Sequence, residues 1–378
     1  MAQAHPAPPH HPAHGDYGSP LALPSNVLGM RAAIFYGPGD IRWEQRPDPR
    51  IEVPTDAIVR VVAACVCGSD LWTWRGARKP GDPHPIGHEM VGVVEEAGAG
   101  VTTVSAGDFV ITPFSISDGT CLHCRQGVTT SCAQVQWYGG TDRDGRPLDG
   151  CQGQYVRVPL ADGTLFRTPG LPDSAQIPAL LTLSDVLATG HHAAVSAGVG
   201  PGRTVAVVGD GAVGLCAVLA SVRLGAERVI AFSSHTDRQV VATRFGASDV
   251  VSERGDDGAA AVRDLLADQG ADCVLECVGT KVSMAQAMAT VRPGGRIGYV
   301  GVPLGGAELP IDKMFSNNIQ VGGGVAPVRA YLADLLPDVL AGRLDASAVF
   351  DLELPMEQVA EAYAAMDERR SIKTLLWP

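Results

Sequence analysis

From Met30 to about residue 175 the chain runs in short apolar stretches separated by turn residues. RAAIFYGPGDIRWEQ predicts two short strands around a Gly-Pro-Gly turn. AIVRVVAACVCG and MVGVVEEAGAGV predict further strands, and DFVITPF and GQYVRVPL continue the series. This part is predicted to be mostly β, with long loops. After Ala179 the rhythm changes. LLTLSDVLATGHHAAVSAGV has helical character, and TVAVVGDGAVGLCAVLASVRLGAERVIAFSS then reads strand, Gly-rich turn, helix, strand. ADCVLECVG and GRIGYVGV add two buried-strand segments with helix-like text between them. Apolar strands alternating with helices predict an α/β fold built on a doubly wound parallel sheet. Past about residue 325 a helix-rich tail closes on the strand-like IKTLLW. There is no internal repeat beyond the strand–helix alternation. No apolar run reaches the ~18 residues that a membrane helix needs.

The chain has 378 residues, which at ~150 residues per domain suggests two domains. A net charge of −12 argues against binding nucleic acid or anionic lipid through bulk charge. Nine cysteines, an odd number in so long a chain, make a disulfide scaffold a poor explanation. Several sit at short spacings, which points to metal or thiol chemistry in a reducing, cytoplasmic setting. Residues 1–29 stand apart: they are rich in Pro, Ala and His and lack Lys and Arg. They fit neither a secretory signal nor a mitochondrial presequence, and are expected to be a disordered tail, or an upstream start with Met30 as the true one. His5, His10, His11 and His14 in that tail offer weak metal binding at most.

Gly209-Asp210-Gly211-Ala212-Val213-Gly214 fits Gly-x-Gly-x-x-Gly. The pattern is informative here because it follows the apolar run VAVV and opens the apolar segment GLCAVLASV. Gly209 permits a tight turn, Gly211 lets a pyrophosphate approach the backbone, and Gly214 lets helix and strand pack closely. The helix N-terminus supplies free N–H groups for the phosphates. A dinucleotide cofactor follows. An acid that would bind both ribose hydroxyls is expected about 20 residues on, yet that count reaches Ser233 in AFSSHTDR. Ser234, His235 and Arg238 suit a 2′-phosphate, so NADP is favoured over NAD. Asp237 reads as a first-turn residue of the next helix.

Cys67-Gly68-Ser69-Asp70 follows a strand, and Gly87-His88-Glu89 comes about twenty residues later. A thiolate and an imidazole between β strands, with carboxylates to follow, are suitable ligands for an open zinc site. With VCGSD, GHE, LSDVLATG, VGDGAVG and the closing IKTLL, the chain from Met30 to Pro378 resembles the zinc-containing alcohol dehydrogenases of the medium-chain dehydrogenase/reductase superfamily. The resemblance implies a mostly-β GroES-like catalytic domain, residues 30–186 and 326–378. It implies a Rossmann dinucleotide-binding domain, residues 187–325.

It also implies roles. Cys67, His88 and Asp185 match the catalytic-zinc ligands. Glu89 matches the carboxylate that approaches the metal during exchange. Ser69 matches the hydroxyl that hydrogen-bonds the alcohol. Asp70 orients His88. Thr189 lies beside the nicotinamide, Val213, Val278 and Val300 complete the cofactor positions, and Lys373 reaches the pyrophosphate. Trp72 stands where the family carries the outer His of a proton relay; His191 or His192 is a substitute, against a plain role in helix packing. Asp118, Cys121, Cys124 and Cys132 have the spacing of the family's structural zinc loop, with Asp118 in place of the first Cys, so two zinc ions per chain are implied. Cys65, Cys151, Cys216, Cys273 and Cys277 have no metal spacing and read as small buried side chains.

The expected activity is hydride transfer between an alcohol, or its aldehyde or ketone, and NAD(P). The partners are small molecules, not nucleic acid or membrane, and the family suggests a homodimer or homotetramer. Trp72, Trp74, Trp137 and Tyr138 are candidates for a substrate pocket. Two alternatives stay open: a zinc-free quinone or enoyl reductase of the same superfamily, and a non-catalytic nucleotide-binding protein. The full ligand set with Ser69 argues against both.

Overall fold

Two separate β-sheets organise the chain in a computed structural model, which describes residues 29–77, 82–304, 306 and 308–378. The tail expected at residues 1–29, with its four histidines, lies outside the described residues except for Gly29.

The first sheet is built on Ala57–Cys65, whose apolar sequence AIVRVVAAC is buried along most of its length. Met90–Ala97 pairs with it antiparallel, followed outward by Phe109–Thr112 and Phe166–Arg167. Along its other edge lie Tyr155–Val158 and the closing strand Lys373–Trp377. Leu375 sits opposite Cys65 and Leu376 opposite Ala64. Phe350–Pro355 adds a parallel strand beyond. The chain therefore returns from its C-terminal end to the sheet in which it began. That register sets Lys373 beside the turn that carries Cys67.

The second sheet has six parallel strands in the order Asp249–Val251, Arg228–Phe232, Thr204–Val208, Ala271–Glu276, Val291–Tyr299, Gln320–Gly323. Side chains alternate across the pleat. Val205 and Val207 pack with Leu215 and Ala193, from the helices Ala212–Arg223 and Val186–Ser196. Ala206 and Val208 pack on the opposite face with Val262 and Met288, from Gly255–Leu265 and Lys281–Thr290. Burial on both faces explains why these strands read as near-continuous apolar runs. Order reverses between Thr204–Val208 and Ala271–Glu276, the switch point at which such sheets bind ligands. Among the described residues, no helix is long and apolar enough to cross a membrane.

Two local features differ from the sequence pattern. LLTLSDVLATGHHAAVSAGV is two helices, Ile177–Thr182 and Val186–Ser196, because the chain leaves helical geometry at Asp185 (φ −153°, ψ −78°). The Ser184 hydroxyl donates to Leu181 O, and Ser184 O accepts from Phe114 N–H. The break aims Asp185 at the first sheet. The two-residue strands Ser115–Ile116 and Gln136–Trp137 also pair, too short to leave a periodic signal.

One buried ion network ties the loop around Asp142 to the first sheet. Arg157 donates to Asp56 at 3.1 Å, to Asp142 at 3.2 Å and to Pro147 O at 3.2 Å. A buried charge is tolerable only while paired. Arg157→Ala is expected to cost about 3–5 kcal/mol in urea unfolding, as a lower midpoint at unchanged slope. A loss below ~1 kcal/mol would mean that the network contributes nothing net.

Candidate functional site

A cleft of about 1190 Å³ runs between the two sheets. The glycine loop enters it directly from Thr204–Val208. Gly209 adopts φ +118°, and a Cβ on Gly214 would lie 1.9 Å from Gly209 O, so loop and helix close only with glycine at both places. Helix Ala212–Arg223 thus presents its free N–H groups at the cleft. Of the residues expected at a cofactor, Thr189, Gly209, Gly211, Val213, Ser233, His235, Arg238, Val278, Val300 and Lys373 line the cleft. Gly214 is buried behind the loop, and Ser234 does not line the cleft but accepts from Arg254 at 2.6 Å.

At the inner end, Cys67, His88, Glu89 and Asp185 place one ligand atom each within 4.8 Å of one another. Asp185 Oδ2 lies 3.5 Å from His88 Nε2 and 3.6 Å from Cys67 Sγ. Asp70 holds the other side of both partners: it accepts from Cys67 N–H at 3.0 Å and pairs with His88 Nδ1 at 3.2 Å. His88 Nε2 is thereby turned toward the cluster. The Thr189 hydroxyl donates to Asp185 Oδ1 at 2.6 Å. Ser69 lines the cleft and makes no capping bond with its helix.

The electrostatics of this group suit a divalent cation. Burial pushes the Cys67 thiol up, and the charges of Glu89 and Asp185 push it further. Burial works against the His88 cation too, yet Asp70 and Cys67 raise it well above the usual range. Burial opposes the Asp185 carboxylate, but its bond to His88 holds it below the usual range. Acids and a thiol outnumber the cations, and a bound metal would relieve that excess by holding the sulfur as thiolate.

Lys373 lines the cleft and is anchored at its inner end. Its ammonium, 1% exposed, donates to Glu89 Oε1 at 2.7 Å and to Val66 O at 3.1 Å. The register of the closing strand beside Cys65 is the reason. The second oxygen of Glu89 accepts from Cys65 Sγ at 3.3 Å, so this cysteine is part of the network rather than mere packing.

Asp118, Cys121, Cys124 and Cys132 form a second such group. Asp118 Oδ1 accepts from Thr120 N–H at 2.7 Å and Cys121 N–H at 2.9 Å. Burial opposes its ionisation, yet those N–H groups bring it down to about 2. Cys121 Sγ accepts from Ala133 N–H and Cys124 N–H, each at 3.5 Å, which lowers its thiol to about 7. Cys132 Sγ accepts from Asp118 N–H at 3.3 Å and Gln134 N–H at 3.2 Å. Burial pushes Cys124 up to about 12 and raises Cys132 as well, so the backbone N–H groups tip only Cys121 toward thiolate; a bound metal would hold all three thiols so, and one carboxylate with three thiolates is a donor set for zinc.

The far end of the cleft holds a residue that sequence counting missed. Asp210, from inside the glycine motif, accepts from Ser233 Oγ at 2.9 Å, pairs with His235 Nδ1 at 2.9 Å and with Arg238 at 3.1 Å. The strand end itself has no acid, as read from the sequence, but the loop delivers one. Arg254 also lines this end, and no motif marked it. Trp72, Trp137 and Tyr138 line the inner cleft. Trp74 instead packs on Tyr363. His191 and His192 do not line the cleft: both turn to Tyr331, with His192 Nδ1 2.8 Å from its hydroxyl. Burial lowers His191 to about 4. Neither replaces a relay histidine at Trp72.

Comparison with known proteins follows the two sheets. Residues 53–169 match the model for the alcohol dehydrogenase GroES-like domain, and residues 212–338 match the model for a zinc-binding dehydrogenase. The chain is 31% identical to zinc-type alcohol dehydrogenase B of Aspergillus flavus, over 92% of this chain and 81% of that one. It is 35% identical to a probable zinc-binding alcohol dehydrogenase of Mycobacterium tuberculosis, over 90% and 86% respectively. The solved alcohol dehydrogenase TADH from Thermus sp. ATN1 superimposes with a TM-score of 0.84 at 32% identity, covering 92% of this chain and 99% of that one.

The buried Lys373–Glu89 pair makes a distinct prediction. Lys373→Met strands a carboxylate that is fully buried and is expected to cost about 3–5 kcal/mol in urea unfolding. Adding Glu89→Gln should recover most of it, since the stranded charge is then gone. If the single variant unfolds within ~1 kcal/mol of wild type, the pair is not a structural constraint.

Proposed function

The chain belongs to the zinc-type alcohol dehydrogenases of the medium-chain dehydrogenase/reductase superfamily, and from that premise we propose an NADP(H)-preferring, two-zinc dehydrogenase acting on neutral, apolar alcohols and their carbonyl products. The family makes it an oxidoreductase, and implies zinc and a nicotinamide cofactor. The observation that carries the reading is the convergence of Cys67, His88 and Asp185 at the inner end of the cleft that also receives the glycine loop.

Cys67, His88 and Asp185 would hold the catalytic metal. Asp118, Cys121, Cys124 and Cys132 would hold the second. Bound zinc supplies Lewis acidity that acidifies an alcohol or polarises a carbonyl, and the nicotinamide supplies the hydride acceptor or donor. The chain's own residues do the rest. Asp70 fixes the His88 ring, and Thr189 fixes the Asp185 carboxylate. Ser69 takes the proton of the substrate hydroxyl and passes its own outward. The indole of Trp72 has no lone pair to accept it, so cleft water is the next acceptor.

Phe114 meets the His88 ring edge-on at 6.2 Å and stacks with Trp137 at 6.1 Å. Trp137 keeps 46% of its surface exposed, and Val325 keeps 58%. Both line the cleft. Such surface suits an apolar, preferably aromatic, substrate body. The catalytic unit is assigned to residues 30–186 and 326–378 and the cofactor unit to 187–325. A cytoplasmic home suits nine free cysteines. Assembly of copies is supported by the unpaired outer edge of Gln320–Gly323, with Phe315 86% exposed nearby.

The preference for NADP rests on the far end of the cleft. The Asp210 carboxylate is already engaged by Ser233, His235 and Arg238, so it is not free to take a pair of ribose hydroxyls. Arg238 answers its charge, and Arg254 leaves the end net positive. Purified enzyme is expected to give a lower KM for NADP than for NAD. Arg238→Ala should raise the NADP value tenfold or more and move the NAD value less than about threefold, because it removes a phosphate donor and uncovers Asp210. A tenfold preference of wild type for NAD would overturn this assignment.

Metal analysis tests the rest. Two zinc ions per chain are expected, with benzyl and cinnamyl alcohols giving higher kcat/KM than ethanol or polyols. Cys67→Ala should abolish turnover and keep the fold, with one zinc left. Cys124→Ala should lose the other zinc and lower the melting temperature, since a closed site holds its loop through metal bonds. Full turnover in the metal-free enzyme would point instead to a zinc-free reductase.

A further inference from the structure

We propose that His84 is the outlet, through cleft water, for the proton that Ser69 takes from the substrate; this rests on the dehydrogenase reading above and assigns a residue that reading leaves open. The first observation is position. His84–Pro85 pairs antiparallel with Arg31–Gly37, His84 opposite Phe35, and the two rings lie 5.5 Å apart. That strand runs into the turn whose Gly39 N–H donates to Trp74 O at 3.1 Å, so it abuts helix Asp70–Trp74, which Ser69 precedes. On the other side a Cβ on Gly139 would lie 2.3 Å from Pro85 O, which sets the segment of His84 against the loop that follows Trp137. His84 is half-buried and lines the cleft with Ser69, Trp72 and Trp137. It thus stands on the substrate side, away from the glycine loop.

The second observation is the state of the ring. His84 Nδ1 lies 3.0 Å from Asp82 O. A carbonyl only accepts, so in the neutral ring Nδ1 carries the hydrogen and Nε2 keeps the lone pair. Among the described residues no hydrogen bond engages Nε2. The charges on the elements around it are committed elsewhere: Arg75, at the end of helix Asp70–Trp74, is paired with Asp367, and Tyr36 of the paired strand turns to Glu44. Asp82 lies on its own segment.

The third observation is that the other groups of the cleft are spoken for. Cys67, His88 and Asp185 form the metal group, and Asp70 serves Cys67 N–H and His88. Asp210 and His235 pair with each other at the far end. Burial pushes the Cys277 thiol and the Tyr138 phenol well up, so both keep their own protons. Arginine side chains and Lys373 are already protonated. Among the described residues that line the cleft, His84 is the imidazole that neither joins the metal group nor pairs with an acid. An imidazole is also the side chain suited to take and release a proton between pH 5 and 8.

The step balances. In oxidation the substrate O–H bond breaks and its proton goes to Ser69 Oγ. The Ser69 proton passes to a cleft water, and a proton of that water forms the N–H bond at His84 Nε2. The electron pair of the substrate C–H bond leaves as hydride to the oxidised dinucleotide. The imidazolium then gives its proton to solvent, which the ring's partial exposure allows. In carbonyl reduction the same ring, protonated, returns it.

Two variants separate a base from a packing residue. His84→Asn keeps a donor where Nδ1 stood, so the bond to Asp82 O is retained and Nε2 is gone. His84→Gln keeps an acceptor near the place of Nε2 but cannot hold a proton there. Wild type and both variants would be assayed with benzyl alcohol and NADP from about pH 6 to 10, with a thermal melt of each. At about pH 7 kcat is expected to fall roughly ten- to a hundredfold in both variants, the low end of acid–base catalysis because water takes over in part. The deficit should close toward pH 10, where hydroxide accepts the proton, and imidazole added to the buffer should restore much of it. Melting temperature and the Kd for NADPH should hold. Protein labelled with 15N-histidine and free of ligand should show His84 as the Nδ1–H tautomer, its signals identified by their loss in His84→Asn. The Nε2–H tautomer would overturn the proposal, since the nitrogen at the cleft then has no lone pair. So would unchanged kcat in both variants, a loss equal at every pH and unmoved by imidazole, or an effect confined to the KM of one alcohol. A wild type with no alcohol-dependent reduction of either dinucleotide overturns the dehydrogenase reading and this inference with it; turnover in wild type with indifferent variants overturns this inference alone.

Discussion

A buried ion pair fixes the inner end of the cleft. Lys373 and Glu89 are 284 residues apart in the chain, both buried, and 2.7 Å apart in space. Neither charge is tolerable there alone. Their pairing requires the closing strand to lie beside Ala57–Cys65, because only the register that sets Leu375 opposite Cys65 brings Lys373 to Glu89. Once it does, Val66 O is held by the same ammonium, and the turn that follows presents Cys67. His88 precedes Glu89 by one residue and so inherits its place. One contact therefore locates two of the three residues assigned to the catalytic metal.

The third comes from the other direction. Asp185 sits where two helices break, and the break is held by Ser184, whose carbonyl accepts from Phe114 N–H. Asp185 then faces Cys67 and His88 from the start of the helix Val186–Ser196. The donor set is thus assembled from three separate segments of the chain. Asp70 and Thr189 each take one lone pair or ring nitrogen of those ligands and leave the others free. Burial and excess negative charge make the arrangement poor without a cation and suitable with one.

Much of this was legible in the sequence. Glycine loops and Cys–His–carboxylate sets are local signals: GHE, VCGSD and GDGAVG each occupy a few adjacent residues, and their chemistry needs those neighbours in that order. The parallel sheet was legible because strands buried on both faces are written as apolar runs. What was not legible depends on approach through space. Asp210 is an unremarked x in a glycine motif until the loop sets it against Ser233, His235 and Arg238. Lys373 matched a cofactor position by sequence, and its buried pair with Glu89 is decided by strand register. Arg254 carries no motif and reaches the cleft only through the fold. His191 and His192 had the right chemistry for a relay but the wrong helix face, which points them at Tyr331.

The same logic links the second ligand cluster to the substrate end. Ser115–Ile116 and Gln136–Trp137 pair at the neck of the loop that contains Asp118, Cys121, Cys124 and Cys132. Phe114 leads into that neck and Trp137 leaves it, and the two rings stack. Two-residue strands cannot hold such a neck by themselves, since the closure entropy of the loop works against them. Ligation of a metal at four points inside the loop, as proposed, would remove most of that freedom. The loop is also tied outward, by the Thr130 hydroxyl donating to Val325 O at 3.0 Å, and Val325 lines the cleft. A cluster apart from the Cys67–His88–Asp185 group thus bears on the pocket through three of its lining residues. A metal held in the loop, if lost, would therefore act on substrate fit through Phe114, Trp137 and Val325, and only through them on the Cys67–His88–Asp185 group, whose own supports, Lys373 and Asp70, lie in other parts of the fold.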